Sequence, residues 1–158
     1  MLRYEVEPQD AEKVRRLAEA TGFFYPYEID IAVELVEDRL SHGLESEYHF
    51  IMAEQDGRLV GYACYGPIPC TAASYDLYWI AVHPDFQGQG LGRELLAEAE
   101  KLIANAGGKR IYVDTSERAQ YDPTRAFYEK CDYRLEAVLK DFYAPGDGKA
   151  IYCKPMYE

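Results

Sequence analysis

The hydrophobic and polar positions along the chain follow two periods, one typical of helices and one typical of strands. Apolar residues at every third or fourth position, together with capping residues, predict four helices at residues 10–22, 28–41, 91–106 and 122–131. Alternating or continuous runs of β-branched and aromatic residues predict seven strands at residues 3–7, 48–54, 59–65, 75–82, 111–114, 133–143 and 149–155. The order β-α-α-β-β-β-α-β-α-β-β predicts a mixed α/β fold with a central sheet of about seven strands flanked by about four helices.

Two features of the sequence predict how the strands are arranged. The strand at residues 75–82 is nearly continuous in β-branched and aromatic residues, so we expect it near the centre of the sheet and covered on both faces. The strands at residues 48–54 and 59–65 are separated by a segment that contains Asp56 and Gly57, which readily adopt positive φ angles. These two strands are therefore expected to form a tight hairpin.

A glycine-rich segment connects the predicted central strand to the helix that follows it. Residues 82–93 read Val-His-Pro-Asp-Phe-Gln-Gly-Gln-Gly-Leu-Gly-Arg, with Gly88, Gly90 and Gly92 at alternate positions. Because glycine has no Cβ atom, the backbone here can turn sharply and approach a ligand closely. The N–H groups at the start of the helix and the positive end of its dipole favour an anion. The segment is therefore predicted to bind a phosphate group.

Two nucleotide-binding motifs compete for this segment. A dinucleotide-binding loop has the spacing Gly-x-Gly-x-x-Gly, and counting from Gly88 places Arg93 where the third glycine is needed. Asp114 does lie at a suitable distance downstream for the acidic residue of that motif, which keeps a Rossmann-type dehydrogenase as an alternative. A Walker loop is excluded, because the chain contains no Gly-Lys-Ser or Gly-Lys-Thr.

Length and charge narrow the class of protein. The chain has 158 residues, a typical size for one domain, so a single domain over residues 1–158 is expected. No apolar run approaches the ~18 residues of a membrane span, and acidic residues near the start stand where a signal peptide is apolar. We therefore expect a cytoplasmic protein with no membrane partner. The 28 acidic and 17 basic side chains give a net charge of −11, which disfavours nucleic-acid binding.

The cysteines and histidines do not predict a metal site. Cys64, Cys70, Cys131 and Cys153 share no Cys-x-x-Cys spacing, and the three histidines are scattered along the chain. The cysteines are therefore interpreted as reduced thiols, and no metal cofactor is expected.

Two segments carry a resemblance to a known family. Gln87-Gly88-Gln89-Gly90-Leu91-Gly92 matches the Gln/Arg-x-x-Gly-x-Gly/Ala signature of the GNAT superfamily of N-acetyltransferases, and Ile80–Pro84 matches the strand ending that precedes it. Residues 124–130, Thr-Arg-Ala-Phe-Tyr-Glu-Lys, resemble the second cofactor segment of that superfamily. A helix and a strand separate the two segments, as in the family, and the element order also matches. The chain is therefore identified as a member of the GNAT superfamily over nearly its whole length.

The resemblance implies acetyl-CoA, or another acyl-CoA, as a co-substrate. The end of the central strand would lie along the pantetheine arm, where an amide near Ile80 or Ala81 would polarise the thioester carbonyl. The glycine-rich loop would hold the pyrophosphate, and Arg125 would meet the 3′-phosphate unless it is simply an exposed helix cation. The implied cofactor-binding residues are Ile80, Ala81, Val82, Gln87, Gly88, Gln89, Gly90, Leu91, Gly92, Arg93, Tyr121 and Arg125.

The resemblance also implies which side chains carry the chemistry. An acceptor amine with a pKa of ~10.4 is mostly protonated at neutral pH, so a base is useful. Asp76 lies six residues before Val82, where several family members place a catalytic glutamate, and would act as a base through a bound water or as an acceptor ligand. Glu54 is a second candidate. Tyr128 matches the tyrosine that protonates the coenzyme A thiolate, although a tyrosine packed by its ring is the alternative.

The chain departs from the family pattern at two positions. Asp132 stands where a glycine usually ends the helix, at a position that often needs a positive φ angle, so local strain is expected there. Tyr121 stands where an asparagine is common, seven residues before Tyr128, which leaves a side-chain contact to the cofactor open.

The predicted function is an N-acetyltransferase that moves an acetyl group from acetyl-CoA to a primary amine of a small molecule, with Tyr128 as general acid. Residues 140–143 are similar to the ending of N-terminal protein acetyltransferases, so a peptide or protein acceptor is an alternative. A non-catalytic acyl-CoA-binding regulator is another. The resemblance also implies a homodimer, because dimers are common in this family.

The acceptor is expected to be cationic. Residues 28–47 contain seven acidic side chains and a single basic one, although such a run is also typical of a solvated helix face. In this family the first two helices and the last hairpin usually shape the acceptor cleft, so acidic side chains there would attract an ammonium group. The tyrosines expected to line or rim that cleft are Tyr25, Tyr27, Tyr75, Tyr78 and Tyr143.

Overall fold

The structure, a computed structural model that describes residues 1–156, follows the predicted order of elements. The four α-helices in this part of the chain are α1 (Asp10–Thr21), α2 (Pro26–His42), α3 (Leu91–Asn105) and α4 (Asp122–Lys130). Its seven strands are β1 (Leu2–Arg3), β2 (His49–Gln55), β3 (Arg58–Pro67), β4 (Ser74–Val82), β5 (Arg110–Ser116), β6 (Arg134–Ala144) and β7 (Asp147–Pro155). Only β1 differs by more than two residues from the predicted bounds.

The strands form one mixed sheet in the order β1-β2-β3-β4-β5-β7-β6. β4 and β5 run parallel, whereas the pairs β1–β2, β2–β3, β5–β7 and β6–β7 are antiparallel. The predicted mixed α/β class and the central place of β4 are therefore confirmed. The dinucleotide-binding alternative is wrong. The sheet of a dinucleotide-binding fold is mostly parallel, whereas most strand pairs here are antiparallel. The acidic residue of that fold ends a strand, whereas Asp114 lies inside β5.

The chain contains two compact units, of which the first comprises Met1–Gly66 and Leu77–Leu102. Its core is formed by side chains of α1, α2, β2, β3 and β4: Val14, Leu17, Ala32, Val36, Phe50, Met52, Leu59, Tyr62, Cys64 and Ala81. β3 is buried over eight consecutive residues, while β4 is fully buried only at Leu77 and Ala81. β4 is therefore less completely covered than predicted, because its aromatic side chains are only partly buried.

The hairpin between β2 and β3 forms as predicted. Asp56 and Gly57 have φ angles of 53° and 74°, the pair of positive values that a two-residue turn of this hand requires. The turn therefore fixes the register in which Gln55 faces Arg58.

The segment between β1 and α1 is held by a buried carboxylate. Gln9 occupies the N-cap position of α1, and Asp10 is the first helical residue, with a fully buried side chain. The Arg3 guanidinium donates two hydrogen bonds of 2.8 and 3.0 Å to the Asp10 carboxylate and a third to the Glu5 carbonyl. Because Arg3 folds back in this way, β1 ends at Arg3 instead of continuing to Glu7.

The second unit comprises Pro67–Asp76 together with Ile103 and the residues that follow. Ile111 and Val113 of β5 are buried on the same face of the sheet as Ala150 and Tyr152 of β7. After α4, Asp132 has a φ angle of 71°, which confirms the positive φ expected where the family has glycine.

The turn between β6 and β7 is shorter than predicted. Ala144 pairs directly with Asp147, so only Pro145 and Gly146 lie between the strands. Asp141, which has a φ angle of 56°, accepts a 2.8 Å hydrogen bond from the Gly146 N–H and thereby closes the end of the hairpin.

Two properties of the described residues bear on function. Within residues 1–156, no helix combines the length and the apolar character that a membrane crossing needs. The same residues contain no cluster of three or more histidine, cysteine or acidic side chains placed to hold a metal ion. All four cysteines are free thiols.

Candidate active site

In the first unit, the glycine-rich loop is anchored at both ends. Ala81, near the end of β4, is 6% exposed, and the His83 N–H donates a 2.8 Å hydrogen bond to the Val60 carbonyl on β3. On the other side of the loop, Leu95 and Leu96 of α3 are buried. The loop therefore lies between two fixed elements, as the sequence predicts.

The backbone of the loop has the conformation that its glycines were expected to allow. Gly88 and Gly90 have φ angles of 77° and 85°, in the left-handed region that other residues rarely adopt. Apart from the glycine and its two neighbours in the chain, no atom lies within 4 Å of the position that a Cβ atom would take at either residue. The Gly90 carbonyl accepts the N–H of Glu94 at 3.0 Å, which starts α3. The first N–H groups of α3 therefore have no acceptor within the helix and can hold an anion.

Two glutamines of the loop brace it from within. Gln87 Nε2 donates a 3.0 Å hydrogen bond to the Val82 carbonyl, and Gln89 Nε2 lies 3.5 Å from the Asp85 carbonyl. The side-chain amides of Gln87 and Gln89 are therefore engaged within the loop, and the cofactor-binding roles of both residues stay predictions. This bracing was not predicted from the sequence, because a pattern of residue types does not show where a side-chain amide points.

In the second unit, Asp76 lies on β4 opposite Tyr112 of β5. Its side chain is half buried, and this burial, followed by the negative charge of Asp114, raises the pKa of the Asp76 carboxyl from 3.8 to about 6. The positive charge of Lys149 lowers the pKa of Asp76 and so offsets part of this rise. Above pH 6 Asp76 is therefore a carboxylate that binds a proton far more readily than an ordinary aspartate, as a general base requires.

Tyr128 lies on α4 and is 4% exposed. Its ring makes edge contacts with Phe127 and Tyr133, with centroid distances of 5.3 and 5.6 Å. Burial raises the pKa of the Tyr128 phenol well above its ordinary value. The hydroxyl therefore stays protonated at any working pH and is available only as a neutral hydrogen-bond or proton donor.

Tyr121 and Arg125 make contacts at the start of α4. The Arg118 guanidinium lies 5.5 Å from the centre of the Tyr121 ring. Arg125 donates hydrogen bonds to the Ser116 carbonyl and the Asp122 carboxylate, and lies 3.3 Å from the Arg118 carbonyl. Arg125 is therefore not the exposed helix cation of the plainer interpretation, and a cofactor role of either residue stays a prediction.

Glu54, the second candidate base, belongs to an ion-pair network. Arg3 Nε lies 2.6 Å from one Glu54 oxygen, and Lys13 Nζ lies 3.6 Å from the other. The hydrogen bond from Arg3 is the main reason why the pKa of Glu54 is lowered. A weakly basic carboxylate is a poor proton acceptor, so Asp76 is the better candidate.

The acidic segment of residues 28–47 contains structural as well as solvated carboxylates. Asp30 pairs with Arg15 at 3.0 Å, and Asp38 accepts a 2.7 Å hydrogen bond from the Ser46 hydroxyl. Glu34, Glu37, Glu45 and Glu47 are exposed. Much of the run is therefore a solvated surface, and its role in attracting the acceptor stays a prediction.

Two exposed tyrosines lie just before this segment in the chain. Tyr25 and Tyr27 are 44% and 65% exposed, and their rings stack with a centroid distance of 5.6 Å. An exposed stacked pair offers a flat π surface of the kind that attracts ammonium groups.

Comparisons with known proteins agree with the family that the two sequence segments indicate. The model of the acetyltransferase (GNAT) family matches residues 12–133, which include both motif segments. An acetyltransferase of Yersinia enterocolitica is 30% identical over 141 residues, which cover 84% of this chain and 87% of that protein.

Solved structures give the same result. The crystal structure of a protein assigned to the GNAT acetyltransferase family of Desulfovibrio desulfuricans is 50% identical, has a TM-score of 0.98 and covers 99% of both chains. An aminoglycoside 6′-N-acetyltransferase in complex with coenzyme A shares the fold, with a TM-score of 0.81 at 20% identity over 100% of this chain and 98% of that one. The chain therefore belongs to the acetyltransferase (GNAT) family of N-acetyltransferases.

Proposed function

We propose that this N-acetyltransferase transfers the acetyl group of acetyl-CoA to the primary amine of a small cationic molecule. The observation that carries the proposal is the half-buried Asp76, whose pKa of about 6 suits a base that works near neutral pH. The acidic residues 28–47 and the exposed tyrosine pair support a cationic acceptor.

The proposed reaction is a direct attack of the amine on the thioester. Asp76 accepts a proton from the ammonium group, directly or through a water, and the freed amine forms a C–N bond with the carbonyl carbon. The C–S bond breaks, and Tyr128 donates its hydroxyl proton toward the leaving sulfur. The nitrogen loses its second proton as the amide forms, and this proton replaces the one that Tyr128 gives. A main-chain N–H near Ile80 or Ala81 polarises the carbonyl oxygen during the attack.

The glycine-rich loop suits the pyrophosphate of the co-substrate. Gly88 and Gly90 leave open space where side chains would stand, and α3 begins directly after them. We infer that the main-chain N–H groups from Gln87 to Arg93 hold the pyrophosphate, so that a chain with a net charge of −11 can bind an anion without clustered lysines.

The experiment that tests the proposed function is an acceptor screen. Purified protein is mixed with acetyl-CoA and a panel of primary amines of different charge, and free coenzyme A is measured as thiol. We expect the highest rates for cationic amines and a fall in rate as salt screens the attraction. Rates that favour neutral or acidic amines would reject the cationic acceptor. Binding of acetyl-CoA with no thiol release for any amine would instead indicate a non-catalytic regulator.

A peptide or protein N-terminus is the second candidate acceptor. Residues 140–143 resemble the ending of N-terminal protein acetyltransferases, and the structure places them on β6, where Phe142 and Tyr143 are 51% and 48% exposed. Peptides with a free N-terminus belong in the same acceptor panel. A higher kcat/KM for these peptides than for small amines would favour this candidate.

Gly90→Ala is expected to weaken acetyl-CoA binding at least about fivefold. An alanine at a φ angle of 85° costs ~1 kcal/mol, and relaxation of that strain turns the loop N–H groups away from the phosphate. The dissociation constant of acetyl-CoA, measured by isothermal titration calorimetry, tests this.

The matched control is Gly107→Ala. Gly107 follows α3, has a φ angle of 91° and, like Gly90, has no atom near the position of a Cβ. The two variants should lose similar stability, yet Gly107→Ala should bind acetyl-CoA as tightly as the unmodified protein. Equal losses of affinity in both would mean that the loop acts only through stability.

A further inference from the structure

Asp114 and Lys149 form an ion pair on the same face of the sheet as Asp76. Lys149 Nζ lies 3.0 Å from the Asp114 carboxylate. Asp76 faces Tyr112 in the register of β4 and β5, and Lys149 faces Ser116 in the register of β5 and β7. Because side chains two residues apart on a strand share a face, Tyr112, Asp114 and Ser116 point the same way. All three charged side chains therefore lie on one face.

The Lys149 side chain is held on both sides. It is 19% exposed, and its Nζ lies 4.4 Å from the centre of the Phe142 ring, opposite the ion pair. Phe142 follows Asp141, which closes the β6–β7 turn through its hydrogen bond to Gly146. The last hairpin therefore fixes the ammonium group beside Asp114.

We propose that Asp114 and Lys149 are positioning residues that control the protonation of Asp76. Lys149 fixes the position of the Asp114 carboxylate and neutralises part of its negative charge. The inference rests on the proposed role of Asp76 as the base. A second carboxylate two residues beyond its register partner disfavours a negative charge on Asp76, and a nearby ammonium group favours it.

The other titratable groups of the neighbouring strand do not supply this control. Tyr112 is neutral in the relevant range, because burial raises the pKa of its phenol above the ordinary value. The Arg110 guanidinium at the start of β5 lies 3.8 Å from Cys153 Sγ. Asp114 and Lys149 are the charged groups that shift the pKa of Asp76 within the part of the chain that the structure describes.

The test uses two substitutions with opposite expected effects. Asp114→Asn should lower the pKa of Asp76 by ~0.5 or more, and Lys149→Met should raise it by a similar amount. The pKa is measured by NMR titration of the carboxyl carbon of labelled aspartate in the ligand-free protein, with Asp76→Asn used to assign the resonance. Lys149→Arg, which keeps the positive charge, should stay close to the unmodified value.

Shifts in opposite directions distinguish this role from a merely structural one. If both substitutions loosened the site, both would expose Asp76 and lower its pKa. Shifts in the same direction, or no shift in either variant, would overturn the inference. The inference would also be overturned if the pKa of Asp76 were the same in Lys149→Arg and Lys149→Met, because the positive charge of Lys149 would then not be what controls it.

The titration does not depend on turnover, so its result is separate from that of the acceptor screen. Failure to release coenzyme A would reject the proposed function and leave the titration as it stands. If the protein is active, the acidic limb of its pH profile of kcat/KM should move to lower pH in Asp114→Asn and to higher pH in Lys149→Met. Limbs that do not move in an active protein would count against the control of Asp76.

Discussion

Asp76→Asn is expected to lower kcat/KM by at least about 100-fold and, at the same time, to stabilise the folded protein at pH 7.5. The loss of activity follows from the role of Asp76 as a base, because a positioned general base contributes ~10²–10⁴ to a rate. An asparagine amide cannot accept the proton of the ammonium group. Steady-state kinetics with the best amine of the acceptor screen measures this effect.

The gain in stability follows from the pKa of Asp76. Because this pKa is about 6 in the folded protein and 3.8 for an ordinary aspartate, the folded state holds the proton more tightly than the unfolded state. The folded state is therefore penalised progressively as the pH rises from ~4 to ~6, and fully above that range. The whole pKa difference corresponds to ~3 kcal/mol, and solvent screening of the partly exposed carboxylate reduces the penalty to ~1–2 kcal/mol. Urea denaturation at pH 7.5 should show this gain, and it should shrink at pH 4.5.

Asp56→Asn is the control for both effects. Asp56 is exposed in the β2–β3 turn, and asparagine tolerates its positive φ angle equally well. Neither kcat/KM nor the free energy of unfolding should change. Full activity in Asp76→Asn would remove Asp76 from the mechanism. A lower free energy of unfolding in Asp76→Asn at pH 7.5 would contradict the conclusion that the buried Asp76 carboxylate destabilises the folded state.

The parts of the fold that the sequence predicts are those set by local physics. Asp56 and Gly57 form the expected turn, Gly88 and Gly90 adopt positive φ angles, and Asp132 takes the conformation of the glycine it replaces. In each case, the backbone requirement of one or two residues decides the structure. A pattern of residue types is sufficient for that.

The parts that the sequence does not predict depend on distant pairing. Lys149 reaches Asp114 because β7 pairs with β5, and no local signal carries that register. Asp114 instead resembles the acidic residue of a dinucleotide site when only its distance from the glycine loop is considered. Likewise, the run of apolar residues at 75–82 does not show that β3 takes the most buried position. Such features follow from the sheet and not from any segment.

Tyr128→Phe is expected to lower kcat at least tenfold while leaving the affinity for acetyl-CoA nearly unchanged. The phenylalanine ring keeps the contacts with Phe127 and Tyr133, so the packing of α4 is preserved and only the hydroxyl is lost. A hydroxyl that acts on the sulfur only as negative charge develops there stabilises the transition state more than the bound substrate. The loss should therefore fall on kcat and not on the dissociation constant.

The size of the expected loss reflects the burial of Tyr128. Its pKa lies well above its ordinary value, whereas a thiol has a pKa of ~8.5, so complete transfer of the proton to the thiolate is uphill. Tyr128 therefore acts mainly by donating a hydrogen bond to the sulfur as the C–S bond breaks, a contribution nearer to tenfold than to ten-thousandfold.

Tyr133→Phe is the matched control for Tyr128→Phe, because Tyr133 is another buried tyrosine whose ring contacts that of Tyr128. It should keep kcat within about twofold of the unmodified protein, since a hydrogen bond away from the reacting atoms contributes ~1 kcal/mol to stability and not to the transition state. Single-turnover measurements compare the chemical step in both variants. Equal kcat values in Tyr128→Phe and Tyr133→Phe would show that the Tyr128 hydroxyl has no part in the reaction.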